Sequence, residues 1–95
     1  MFGRRKAPAI EGPLTYDSLR HWLIAELART VKCPESEVDT AKSFDDYGLD
    51  SRTAVRVSGA LERVVERRLS PAILFDHQTI DDLAAYLTRE LRLQS

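Results

Sequence analysis

The chain has 95 residues, which suits one small domain built around one core. Fourteen Lys and Arg stand against fifteen Asp and Glu, a balance that excludes a general nucleic-acid binder, and no apolar run approaches the length needed to cross a bilayer. A single cysteine, Cys33, excludes an internal disulfide and fits a reducing cytoplasm, where a half-buried, inert thiol is expected.

The opening MFGRRKAPAIEGP is basic but lacks the apolar stretch of a signal peptide, and Gly3, Pro8, Gly12 and Pro13 interrupt regular structure. Residues 1–14 are therefore expected to form a flexible lead-in and residues 15–95 the domain. Met1 and the short C-terminal end favour a small free-standing protein, expected to be a monomer. The first helix begins at TYDSLRHWLIAELARTV. Tyr16, Leu19, Leu23, Ile24, Leu27, Ala28 and Val31 form its apolar stripe, with Thr15 or Asp17 as the cap. Trp22 and His21 fall off that stripe, so Trp22 is expected at the edge of the core.

The stretch KCPESEVDTAKSFDDYGLD is rich in loop formers. Pro34 is placed to open a single turn carrying Val38. A connection this long belongs in a compact domain when it is functional or is pinned by its own side chains; Val38, Phe44, Tyr47 and Leu49 are the residues for that role. The second long helix is expected from about Ser51 to about Arg68, capped by Asp50, with Ala54, Val57, Leu61, Val64 and Val65 inward. Gly59 inside it costs about 1 kcal/mol against alanine, which implies either a close neighbour or a tolerated loss. Ser70 reads as a cap with Pro71 at the first position of one or two mostly buried turns, AILF, in which Phe75 is expected to be structural. After the turn at Asp76, His77 and Gln78, Thr79 caps the last helix, with Asp81 and Asp82 in its first turn and Ile80, Leu83, Ala84, Leu87 and Leu91 inward. The predicted fold is an all-α, small four-helix bundle: three longer helices, one short one and a long first crossover.

Reactive chemistry is sparse. Ser51 stands in GLDSR rather than the G-x-S-x-G of a hydrolase elbow, and His21 and His77 are the only histidines available as a base. Asp45 and Asp46 lack the spacing of a calcium loop, and no histidine or cysteine pattern suggests zinc. Ser51 does occupy a useful electrostatic position. Unpaired amide hydrogens and the positive end of the helix dipole lie beside it, so a phosphate esterified there is well placed. A mere helix cap without modification explains the same serine.

The order of motifs adds a further reading. SFDDYGLDS followed by TAVRVSGALERVVERRLSPAILFDHQTIDDLAAYL resembles the acyl carrier protein family, especially the carrier domains of polyketide synthases. The resemblance spans about residues 15–91 and rests on Gly48-Leu49-Asp50-Ser51 and on Leu74-Phe75-Asp76-His77-Gln78-Thr79-Ile80. It implies 4'-phosphopantetheine on Ser51, transferred from coenzyme A by a phosphopantetheinyl transferase, with Asp50 capping the helix beside it. It implies an acyl carrier without catalytic activity of its own, acting in polyketide or lipid biosynthesis and served by an acyl-loading enzyme and by ketosynthases or other acyl acceptors. A peptidyl carrier loaded by an adenylating enzyme, and a helical interaction module whose serine only caps a helix, are the alternatives.

Three positions depart from the family pattern. Arg52 stands where leucine is usual, Gln78 where proline is usual, and Glu66-Arg67-Arg68 where a glycine is common. Across residues 51–68 five arginines oppose two glutamates, a net charge of +3. That charge reads either as a solvated face or as a changed partner surface, in which Arg52 and Arg56 are the recognition residues. The serine-arginine variant followed by a valine-rich helix is also similar to carriers that accept fatty acyl groups from fatty acyl-AMP ligases.

Overall fold

The computed structural model describes residues 12–92. Most of the lead-in assigned to residues 1–14, and residues 93–95 at the other end, lie outside that range; Leu14 packs against the core. Four α-helices follow in order: α1, Tyr16–Val31; α2, Ser51–Val65; α3, Ile73–Asp76; and α4, Ile80–Glu90. Two 3₁₀ turns, Glu35–Glu37 and Asp45–Tyr47, interrupt the crossover between α1 and α2. α1 packs against α4, and α2 against α3. Leu19, Leu61, Leu74, Ile80, Leu83 and Leu87 are fully enclosed between them.

α1 starts where a reciprocal cap forms. Thr15 Oγ1 accepts from the Ser18 amide at 3.0 Å, and the Thr15 amide donates to Ser18 Oγ at 2.8 Å. The helix stops at Lys32, whose left-handed backbone (φ 62°) lets its N–H return to the Ala28 carbonyl. Its buried face differs from the expected stripe. Trp22 is only 2% exposed and belongs to the core rather than its edge. Leu19, Trp22, Leu23, Glu26 and Leu27 follow the i, i+3, i+4, i+7, i+8 spacing of one helical face. Glu26 interrupts the apolar pattern and hides this face from a hydropathy reading. Its carboxylate is buried and takes two hydrogen bonds from one Arg29 guanidinium nitrogen, at 2.8 and 3.0 Å.

α2 ends at Val65, three residues short of the expected Arg68. Glu66 takes a left-handed backbone (φ 57°) and returns its N–H to the Glu62 carbonyl. Glycine is the residue best suited to that conformation, so this chain closes the helix with a strained side chain at the position where the family pattern favours glycine. The Glu62 carboxylate then accepts from the Leu69 amide at 2.7 Å and fixes the exit.

α3 is a single turn and starts later than expected. Ser70 and Pro71 form the turn before it rather than its cap and first residue: Ser70 Oγ accepts from the Ala72 amide at 3.0 Å and the Ser70 carbonyl from the Ile73 amide at 3.0 Å. Ile73 and Leu74 point inward, whereas Phe75 is 42% exposed, which corrects its expected place in the core. Successive side chains rotate by about 100° around a helix, so a one-turn segment that buries residues 73 and 74 turns residue 75 outward. α4 follows the expected pattern, with Thr79 Oγ1 accepting from the Asp82 amide at 3.0 Å and Ile80, Leu83, Ala84 and Leu87 buried.

No atom lies within 4 Å of a Cβ placed on Gly59, so nothing in the fold requires that glycine. Gly59→Ala is expected to stabilise the domain by about 0.5–1 kcal/mol and raise its melting midpoint by a few degrees, read by circular dichroism. A lower midpoint would mean that α2 needs the missing side chain. Leu74→Ala, at a site only 1% exposed, is expected to cost about 2–5 kcal/mol in urea unfolding, far more than Phe75→Ala.

Candidate functional site

The crossover delivers the chain to α2 through a series of local locks. Arg20 on α1 donates through Nε to Asp81 Oδ1 at 3.0 Å and through a terminal nitrogen to Thr40 Oγ1 at 3.2 Å. Thr40 Oγ1 donates to Asp81 Oδ2 at 3.0 Å, and the Asp81 amide donates to the Thr40 carbonyl at 3.1 Å. The hydrogen bond and charge of Asp81 raise the Arg20 pKa above its already high ordinary value, so the guanidinium stays charged. Tyr47 reaches back along the loop, its hydroxyl 2.6 Å from the Asp39 amide, while the Lys42 ammonium lies 4.5 Å from its ring centroid.

The last approach is made by Phe44-Asp45-Asp46-Tyr47-Gly48-Leu49. Phe44 is buried, and its amide donates to the Gln78 carbonyl at 2.7 Å. Gly48 reverses the chain with φ 83°, a backbone that glycine adopts without strain. The Leu49 amide then donates to the Phe44 carbonyl at 3.3 Å, and the Leu49 side chain enters the core. With Leu49 inward, the next two residues emerge at the surface. Asp50 Oδ1 accepts from the Thr53 amide at 2.9 Å and caps α2, as expected. That hydrogen bond, with a contribution from Arg52, holds the Asp50 carboxyl below the usual aspartate range. Ser51 is the first residue of α2; it is exposed, and its hydroxyl makes no hydrogen bond among the described residues. A small phosphoester on that oxygen meets open solvent and the positive end of α2, so the residues present fit a phosphate-linked group.

Arg52 and Arg56, one turn apart, are both exposed, with Val55 between them at 48% exposure. No arginine of residues 51–68 forms an ion pair among the described residues. The crossover has the opposite charge: between residues 32 and 50, Glu35, Glu37, Asp39, Asp45, Asp46 and Asp50 are all exposed and face only Lys32 and Lys42. Ser51 therefore sits on a seam between an acidic loop and a basic helix. This seam is readable in the sequence only once the start of α2 is known.

The two histidines are placed elsewhere. The His21 ring lies 2.9 Å from the Asp17 carbonyl within α1, and His77 stacks on Tyr86 with ring centroids 4.0 Å apart. Gln78, at the position where the family pattern has proline, closes its own turn, its side-chain nitrogen donating to the Phe75 carbonyl at 3.2 Å.

Residues 21–87 match the family described as a phosphopantetheine attachment site, and this stretch contains the whole segment just described. The chain belongs to this family of carrier domains. Its sequence is 46% identical over 69 residues, 73% of this chain, to a phenolphthiocerol/phthiocerol polyketide synthase of Mycobacterium tuberculosis. It is 41% identical over 58 residues, 61% of this chain, to the mycoketide-CoA synthase of the same organism. The carrier domain spans only 4% and 1% of those two relatives. Its fold is similar to a free-standing peptidyl carrier protein from Acinetobacter baumannii, with a TM-score of 0.76, 34% identity and coverage of 81% of this chain and 96% of that one. It is equally similar to an acyl carrier protein from Anabaena with a variant phosphopantetheinylation-site sequence, with a TM-score of 0.77, 28% identity and coverage of 94% and 98%. Carrier domains of this family hold 4'-phosphopantetheine covalently on a serine, and this carrier domain is of the polyketide synthase type. Among its described residues no helix is long and apolar enough to cross a membrane.

The depressed Asp50 pKa gives a pH signature. The stability supplied by the ionised cap is present above the ordinary aspartate pKa of about 4 and is lost as pH falls through the lower folded value. Asn caps helices about as well but cannot ionise. Wild type is therefore expected to exceed Asp50→Asn in urea midpoint at pH 7, with the gap closing toward pH 3. A gap independent of pH would show that the carboxylate charge adds nothing to the cap.

Proposed function

We propose that Ser51 is the attachment point of 4'-phosphopantetheine and that the chain holds an acyl group for partner enzymes in polyketide or lipid biosynthesis. The observation that carries this reading is the exposed, unbonded Ser51 hydroxyl on the first turn of α2, inside the family match. In the attachment reaction, Ser51 Oγ forms a bond to the phosphorus of coenzyme A that bears the pantetheine. The phosphoanhydride bond to the adenosine bisphosphate breaks, and the hydroxyl proton passes to a base on the transferase. The attached group supplies a terminal thiol on which an acyl chain is carried as a thioester. Asp50 keeps the first turn of α2 closed, and Leu49 holds the backbone so that the hydroxyl faces outward. On this reading the chemistry at Ser51 is done by the partner enzymes, and the chain supplies the hydroxyl and the surface that presents it.

Those partners are a phosphopantetheinyl transferase, an acyl-loading enzyme of the fatty acyl-AMP ligase kind, and a ketosynthase or other acceptor. They act on a monomeric carrier in a reducing cytoplasm, which suits the single thiol of Cys33. Arg52 and Arg56 form the side of the surface that the loading enzyme meets with carboxylates. The likeness to a peptidyl carrier protein supports a second reading, in which the cargo is an amino acid placed by an adenylating enzyme.

Incubation with coenzyme A and a permissive transferase is expected to add one phosphopantetheinyl group to the intact mass. Ser51→Ala is expected to abolish that gain with an unchanged helical signal; modification of the alanine variant would sink the assignment. Parallel loading assays with fatty acyl and aminoacyl adenylating enzymes separate the two cargo readings. Arg52→Glu is expected to slow loading of the modified protein at low salt, with the difference from wild type shrinking as salt rises. Equal, salt-insensitive rates would reduce Arg52 to a solvated side chain.

A further inference from the structure

The crossover does more than join two helices: it also closes the start of α4. An α-helix leaves its first amides without partners inside the helix. In α4 the Asp82 amide goes to Thr79 Oγ1, and the Asp81 amide goes to the Thr40 carbonyl at 3.1 Å. A second backbone bond runs the other way, from the Phe44 amide to the Gln78 carbonyl at 2.7 Å. Residues 40–44 therefore lie along residues 78–81 in the opposite chain direction, stitched at both ends. The Thr40 side chain reinforces one end. Its oxygen accepts from Arg20 and donates to Asp81, which also accepts from Arg20 Nε. The other end leads on to Ser51. The Phe44 carbonyl accepts from the amides of Tyr47 and Leu49, and Leu49 stands two positions before the serine.

Little of the global stability comes from the polar junction. The Arg20 and Asp81 side chains are 34% and 41% exposed, and an ion pair at such exposure is weak. The core itself is apolar, with Leu19, Ile80 and Leu83 fully enclosed. The crossover, by contrast, needs a hold. Its exposed carboxylates outnumber Lys32 and Lys42, and a segment of like charges tends to extend rather than fold back. We propose that Arg20, Thr40 and Asp81 are positioning residues for attachment at Ser51, seating residues 40–49 in the arrangement from which the transferase takes the serine. This deepens the reading of Ser51 as the attachment point and rests on it. None of the three residues bonds to Ser51, so they act through the crossover. Loss of the junction leaves the hydroxyl and the Asp50 cap as they are and lowers the fraction of chains with a seated crossover. An enzyme that needs the seated form then binds more weakly in proportion to that fraction, while turnover of the bound complex is unaltered.

The test compares Thr40→Val, which keeps the side-chain shape and removes both of its hydrogen bonds, with Thr40→Ser, which restores the hydroxyl. Exchange of the Phe44 and Asp81 amides is expected to quicken about fivefold or more in Thr40→Val, with the slowest amides of α1 unchanged. With saturating coenzyme A and a permissive transferase, Thr40→Val is expected to raise the KM for the protein about threefold or more at unchanged kcat. Thr40→Ser is expected to reverse both effects. Arg20→Ala is expected to raise KM as well, and the double variant Arg20→Ala with Thr40→Val by less than the product of the two single effects, because both break one junction. Unaltered exchange, exchange that quickens equally throughout the chain, a fall in kcat at unchanged KM, no rescue by serine, or independent effects in the double variant would each overturn the proposal. Wild type and Thr40→Val modified with the same KM would sink the role of the junction and leave Ser51 in place. Failure of wild type to accept the arm would sink the reading of Ser51, and this inference with it.

Discussion

The fold depends on how nineteen residues between α1 and α2 are held with only two short 3₁₀ turns among them. A single guanidinium does much of this. Arg20, on α1, binds Asp81 at the start of α4 and Thr40 in the middle of the crossover, and Thr40 closes the triangle onto Asp81. Three segments distant in sequence thereby meet at one partly exposed polar junction. Its value lies less in the strength of one ion pair, which is modest at such exposure, than in geometry. The planar fork of arginine engages two partners at fixed angles, so the crossover leaves the junction in one direction.

Beyond that junction the chain is guided by burial. Val38 and Tyr47 rest against the core, and Phe44 and Leu49 enter it. Each anchor leaves only a few residues free, which keeps the entropic penalty of the loop small. Gly48 provides the one reversal that a side chain would resist, and it lies between the last two anchors. Leu49 in the core and Ser51 in solvent are thus two expressions of one constraint. Fixing the first determines where the second emerges.

Much of this is legible in the sequence because its signals are local. The caps at Thr15, Asp50 and Thr79, the turn at Gly48 and the apolar faces of α2 and α4 each follow from residue type and spacing over a few positions. The features that escape such a reading depend on a partner elsewhere. Trp22 reads as peripheral because Glu26, one turn on, mimics a wet face; only Arg29 closing on that carboxylate makes the face buried. Phe75 reads as structural because hydrophobicity records what a side chain prefers, not which way a one-turn helix points it. The end of α2 reads three residues late because a glutamate in a left-handed backbone gives no local stop signal of the kind glycine would.

The 2.7 Å hydrogen bond from the Phe44 amide to the Gln78 carbonyl bears on motion. It ties the strap before Ser51 to the corner between α3 and α4, and the backbone carbonyl of Phe75 is gripped by the same glutamine. The serine's footing and the ring that stands out from α3 therefore share one mechanical frame. A tug on the arm proposed at Ser51 would be passed through this hydrogen bond into the bundle. The travel of a cargo on that arm would then come from rotation about the bonds of its tether and from tumbling of the whole domain.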